Sequence, residues 1–125
     1  MLDKAKIEAA ARAVPLTRGR LIDRSAGTTC YCVVGALLHG AGVPDAKLEY
    51  LDHEYGNGIY YGATSFDVCE SNELIDRLCA AYGDHITDVL DELESANDGR
   101  ITEEDVSPAA VLNRVLTKLQ EVAVA

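Results

Sequence analysis

The sequence predicts a mainly α-helical protein: a single domain over residues 1–125, with five or six helices and at most one short β-hairpin near residues 19–32. Three observations predict it. Apolar residues recur at i, i+3, i+4 and i+7 in segment after segment. Capping residues precede these stripes and Gly or Pro follows them. Residues that favour strands are concentrated in one short run, 28–32.

Asp3 caps a first helix reaching about Val14, with Ile7, Ala10, Ala11 and Val14 on one face, and Pro15 ends it. Gly19 and the Ser25-Ala26-Gly27 turn flank Arg20-Leu21-Ile22-Asp23. Thr28-Thr29-Cys30-Tyr31-Cys32 follows, and together these predict the hairpin. Residues 33–40 are small, apolar and almost uncharged, which predicts a buried central helix. Thr28 or Thr29 is its expected N-cap. Gly40, Gly42 and Pro44 stop it. Gly35 and Ala36 within it point to close approach of another backbone.

Asp45 is expected to cap a short helix with Leu48, Leu51 and Tyr55 inward. Residues 54–64 read as a loop or hairpin marked by Asn57-Gly58. Ser71 or Asn72 caps the next helix, whose inner stripe is Leu74, Ile75, Leu78, Cys79 and Tyr82, and Gly83 stops it. Asp84 starts another, with Ile86, Val89, Leu90 and Leu93 inward and Asp88, Asp91, Glu92 and Glu94 outward. Asn97-Asp98-Gly99 reads as a turn. Ser107 caps a last helix with Pro108 at its first position and Val111, Leu112, Val115, Leu116, Leu119 and Val122 along one side.

With 125 residues, 48% apolar and 26% charged, the chain can bury one core unaided. A net charge of −10 speaks against a general nucleic-acid binder or an electrostatic membrane anchor. No apolar run nears the ~18 residues that span a bilayer, and the N-terminal stretch has no apolar core of the kind secretory signals carry. The expected location is the cytoplasm, with Cys30, Cys32, Cys69 and Cys79 as free thiols. Residues 1–30 hold six basic against three acidic side chains, and residues 31–125 hold five against eighteen. The simplest reading is a basic N-terminal segment packed on acidic helices of its own domain. The sharper one is an acidic surface kept for a basic partner.

Four constellations could carry chemistry. Cys30 or Cys32, at the start of the central helix, sits where N–H groups favour a thiolate. A cysteine hydrolase or transferase would also need His53 or His85 as base. His39 lies too far along the same helix, and the bland role is small buried filler. The four cysteines and three histidines lack the paired spacing of a zinc site, so no cofactor or metal is expected. Residues 94–105 echo a calcium loop through Glu94, Asp98 and Asp105. However, Ala96 stands where an oxygen ligand is needed, and Pro108 delays the following helix, which favours a plain interhelical connection. The fourth is the tyrosine-rich stretch 54–62. There Tyr55, Asn57, Tyr60 and Tyr61 combine large area with polar tips, as contact surfaces do, or else fold over the core.

Gly19-Arg20-Leu21, then Cys30-Tyr31-Cys32-Val33-Val34-Gly35-Ala36-Leu37-Leu38, then Asn97-Asp98 before an amphipathic helix, resemble a group of small proteins of actinobacteria and their phages. The likeness covers about half the chain and leaves out its middle. It implies a phage or actinobacterial setting and packing roles for Cys32, Gly35 and Asn97, and it transfers no catalytic residue. The resulting expectation is a cytosolic, non-enzymatic regulatory protein that binds another protein, one with a basic surface, and neither nucleic acid nor membrane.

Overall fold

The computed structural model describes residues 2–25, 27–56, 62–99 and 107–122. Within them the chain forms seven helices: α1 (Lys4–Arg12), α2 (Val33–Gly40), α3 (Asp45–Tyr55), α4 (Ser65–Cys69), α5 (Asn72–Tyr82), α6 (Ile86–Asp98) and α7 (Pro108–Glu121). The mainly helical class is as the sequence predicts. The helix that sequence patterning missed is α4. It is one turn long and shows no apolar stripe, although its Thr64–Asp67 capping box is complete.

α2 is the centre of the molecule. Residues 33–38 are all buried, and α1, α5 and α6 pack around them. α6 and α7 form the most extensive helix pair, with Val111, Val115 and Leu119 of α7 closing the core beside Leu90 and Leu93 of α6. Lys4 donates to the Val122 carbonyl at 3.0 Å, tying α1 to the end of α7. Among the described residues no helix is long and apolar enough to cross a membrane.

Several caps differ from expectation. Cys32, not Thr28 or Thr29, is the N-cap of α2, its Sγ accepting from Gly35 N–H at 3.4 Å. Pro44 takes the cap position of α3. Asp45 becomes the first helical residue, and its carboxylate turns to Tyr31, His39 and Arg24 instead. α6 begins at Ile86, one residue past the cap position held by His85, so Asp84 lies outside it. Asn97 and Asp98 belong to the last turn of α6, and only Gly99 turns the chain, with φ 66°. Ser71 and Ser107 cap α5 and α7 as expected.

Among the described residues the expected hairpin shrinks to one antiparallel pair, in which Asp23 and Cys30 exchange both backbone hydrogen bonds at 2.8 Å. A parallel bridge joins Leu16 to Tyr31. The rest of residues 15–23 is an irregular strap threaded between α2, α3 and α6. Leu16, Leu21 and Ile22 from it are buried. A strap buried without a sheet must find its hydrogen bonds elsewhere, and it finds them in side chains from distant helices.

Candidate functional site

The strap is held first by Asp52 of α3. Its buried carboxylate accepts from Leu21 N–H and Ile22 N–H, both at 3.1 Å, and from Ala63 N–H at 2.8 Å. Burial pushes its carboxyl up, against these three bonds that favour the ionised form. Gly62 lies so close that a Cβ there would collide with the Asp52 carboxyl. Asn97, fully buried on α6, is the second holder. Its Oδ1 accepts from Val33 N–H at 2.9 Å, and its Nδ2 donates to the Thr17 carbonyl at 2.8 Å. Asp98 is the third, accepting from Gly19 N–H at 3.1 Å. Two further carbonyls of the strap are served from the backbone: Gly62 N–H donates to Gly19 at 2.6 Å and Cys32 N–H to Arg20 at 3.0 Å. Gly35 takes the remaining space, since a Cβ on it would collide with the Leu21 carbonyl.

These bonds define where the reactive-looking residues sit. Cys32 is buried at the head of α2. The Gly35 N–H favours its thiolate, but burial and the charges of Asp98, Glu94 and Asp52 outweigh it and push the thiol up. Cys30 is half-buried, its Sγ directed to the Thr28 carbonyl at 3.8 Å. No histidine is brought to either sulfur. His39 bonds Asp45 at 3.0 Å and lies against the Tyr31 ring. His85 bonds Asp88 at 3.1 Å on the surface. His53 lines a shallow depression with Arg20, Asp23, Arg24 and Glu49, above Asp52. Burial and neighbouring acids also push Cys69 and Cys79 up. The thiol–imidazole arrangement considered for Cys30, Cys32, His53 and His85 is therefore not assembled among the described residues.

The calcium-loop reading fares similarly. Glu94 and Asp98 lie one turn apart on helix α6, not in a loop. Asp98 is engaged with Gly19 and Asn97, and Glu94 with Ser65. Asp105 lies outside the described residues. Among these, no three His, Cys, Asp or Glu side chains converge as metal ligands would.

Glu94, expected on the outer face of α6, is instead half-buried. It accepts from Ser65 N–H at 2.7 Å and lies 3.1 Å from Ser65 Oγ, which is 3.3 Å from Asp91 Oδ1. Burial, then the charges of Asp98 and Asp91, push its carboxyl up to about 7. Sequence reasoning missed this group because a helical wheel puts position 94 at the edge of the apolar stripe. What buries it is α4, which the stripe does not reveal.

The remaining feature is aromatic. Tyr55, placed inward by its spacing, is 50% exposed at the end of α3. Tyr50 is 54% exposed with the Lys47 ammonium over its ring, and Phe66, in the first turn of α4, is 71% exposed. Asn57, Tyr60 and Tyr61 lie outside the described residues. Exposed acids occur on the same stretch of chain: Glu49 and Glu54 of α3, Glu70 after α4, and Glu73 and Asp76 of α5. The basic N-terminal segment does meet acids of its own domain, through Arg24 to Glu49 at 3.0 Å and to Asp45 at 3.6 Å. Compared with known protein families, curated proteins and solved structures, the chain matches none.

Proposed function

We propose that the chain is a non-enzymatic protein-binding protein that presents exposed aromatic side chains of α3 and α4 to a partner with a basic surface. The observation that carries this reading is Phe66. It is the chain's sole phenylalanine, and it lies in the open while Tyr31 and Tyr82 are buried with the aliphatic side chains of the core. An exposed ring is unfavourable in water and is a candidate contact point for a partner. Tyr50 and Tyr55 of α3 are exposed as well, and Tyr55 leads into the tyrosine-rich stretch of the sequence. The charge of the partner follows from the net charge of −10 and from the exposed acids of α3 and α5. In the phage setting that the sequence resemblance implies, the partner is a host protein and the chain its regulator.

The test is site-specific photo-crosslinking in an actinobacterial lysate, with a benzophenone residue at position 66 and, as control, at Gln120 on the exposed side of α7. The expected outcome is one adduct, formed from position 66 alone, with a basic protein, and weakened as salt rises. Equal adducts from both positions, or none from position 66, would reject the reading.

A further inference from the structure

Ser65 stands between two carboxylates and carries one hydroxyl hydrogen. Its Oγ lies 3.1 Å from Glu94 Oε1 and 3.3 Å from Asp91 Oδ1, while its N–H already donates to Glu94 Oε2 at 2.7 Å. With both acids ionised, the one hydroxyl hydrogen can serve only one of them. The other then faces an oxygen lone pair at hydrogen-bond distance with no hydrogen between; Ser65 is buried and Glu94 half-buried, while Asp91 is exposed. One added proton removes the conflict. Placed on Glu94 Oε1, it is donated to Ser65 Oγ, and Ser65 then donates to Asp91.

We propose that Glu94, Ser65 and Asp91 form a proton-binding latch, in which a single proton on Glu94 completes the relay that docks α4 on α6. No bond other than O–H is made or broken. The proton comes from water and returns to it. A small cavity of about 40 Å³ adjoins the Glu94 carboxyl, lined also by Gly19, Cys32, Gly62, Thr64 and Asp98, and it has room for a water that carries the exchange.

The surroundings favour the proton. The groups whose charge bears on Glu94 are Asp91 and Asp98 of its own helix, and both are acids. From the packed elements come the Cys32 thiol at the head of α2 and the Cys69 thiol on α4. On α5, Cys79 faces Asp76, Asp84 and Asp88. On α7, Arg114 is turned to the carbonyls of Ala96 and Asn97 at 3.1 and 3.2 Å. Burial, with the charges of Asp98 and Asp91, lifts Glu94 to about 7 against the two Ser65 hydrogen bonds, which favour its ionised form, so the latch changes state near neutrality. The latch stands whether or not the exposed rings of α3 and α4 bind a partner.

Carboxyl ¹³C NMR titration of the whole chain, with the Ser65 amide shift followed in the same series, tests it. The expected result is a Glu94 midpoint near 7, with the Ser65 amide and the Asp91 carboxyl signals moving at that same midpoint. Glu94→Gln supplies a neutral donor and acceptor of the same shape, so its Ser65 amide should not move between roughly pH 5.5 and pH 8. Asp91→Asn should lower the Glu94 midpoint. A midpoint below about 5, or a Ser65 amide that moves equally in Glu94→Gln, would overturn the latch. Should Glu94→Gln not fold, the wild-type midpoint decides alone.

Discussion

Replacing Asp52 by Asn tests how the buried strap is held. The carboxylate receives three backbone N–H groups, two on Oδ1 (Leu21 and Ala63) and one on Oδ2 (Ile22). Asn keeps one oxygen and puts an NH₂ where the other stood. In the better orientation Ile22 N–H loses its acceptor and meets a donor, and the other two bonds lose their charge. A hydrogen bond to a charged group contributes about 1.5–3 kcal/mol net, and a neutral one about 1. One bond lost and two weakened give a cost of about 3–5 kcal/mol. That is a large share of the ~5–15 kcal/mol that holds a domain together. At about 4 °C per kcal/mol for a chain of this length, the melting temperature should fall by ~12–20 °C. Urea titration followed by helical circular dichroism gives the free energy directly, and an unchanged slope confirms that the same surface is exposed on unfolding. A cost below about 1 kcal/mol would show that Asp52 does not hold the strap.

Three further outcomes are expected. Gly35→Ala forces its new methyl against the Leu21 carbonyl. It should cost more than about 3 kcal/mol in urea titration, although Ala is the better helix former by ~1 kcal/mol. Asn97→Ala removes the acceptor of Val33 N–H and the donor to Thr17, and should destabilise by about 2–4 kcal/mol in the same assay. Stability should also depend on pH through Glu94. Its folded value of about 7 exceeds the ordinary 4.5, so the folded state holds the proton more tightly. The contribution is full below about pH 4.5 and is lost as pH rises through 7. At full strength it would be ~3 kcal/mol, and partial exposure reduces it to about 1–1.5. Melting temperatures that rise from pH 5 to pH 8 would contradict the sign.

The helices were legible where local chemistry sets them. Ser71, Ser107 and Asp3 cap as their positions suggest, and the stripes of α5, α6 and α7 point inward. The backbone approach signalled by Gly35 is present, with Leu21 as the neighbour. The strap was not legible, because its holders are 30, 31, 79 and 80 residues away along the chain and no local pattern links them. Asn97-Asp98-Gly99 has turn composition, and only tertiary structure shows that the first two residues close the helix and bond the strap. Cys32 caps α2 in place of a threonine because Cys32 N–H is fixed to the Arg20 carbonyl, which sets the chain's entry into the helix there. At the candidate binding face, composition drew attention to the tyrosines. Phe66 went unremarked because α4 itself has no stripe to place it.

The thiol of Cys32 is the group on which a catalytic reading would depend, and its accessibility separates a structural cap from a nucleophile. Iodoacetamide labelling of the native chain, followed by peptide mass spectrometry, reads each cysteine separately. A buried cap should leave Cys32 unlabelled until the chain unfolds, while half-buried Cys30, Cys69 and Cys79 react first. Rapid labelling of Cys32 in the folded protein near pH 6 would mean an open, activated thiol, and the non-enzymatic reading would fall with it.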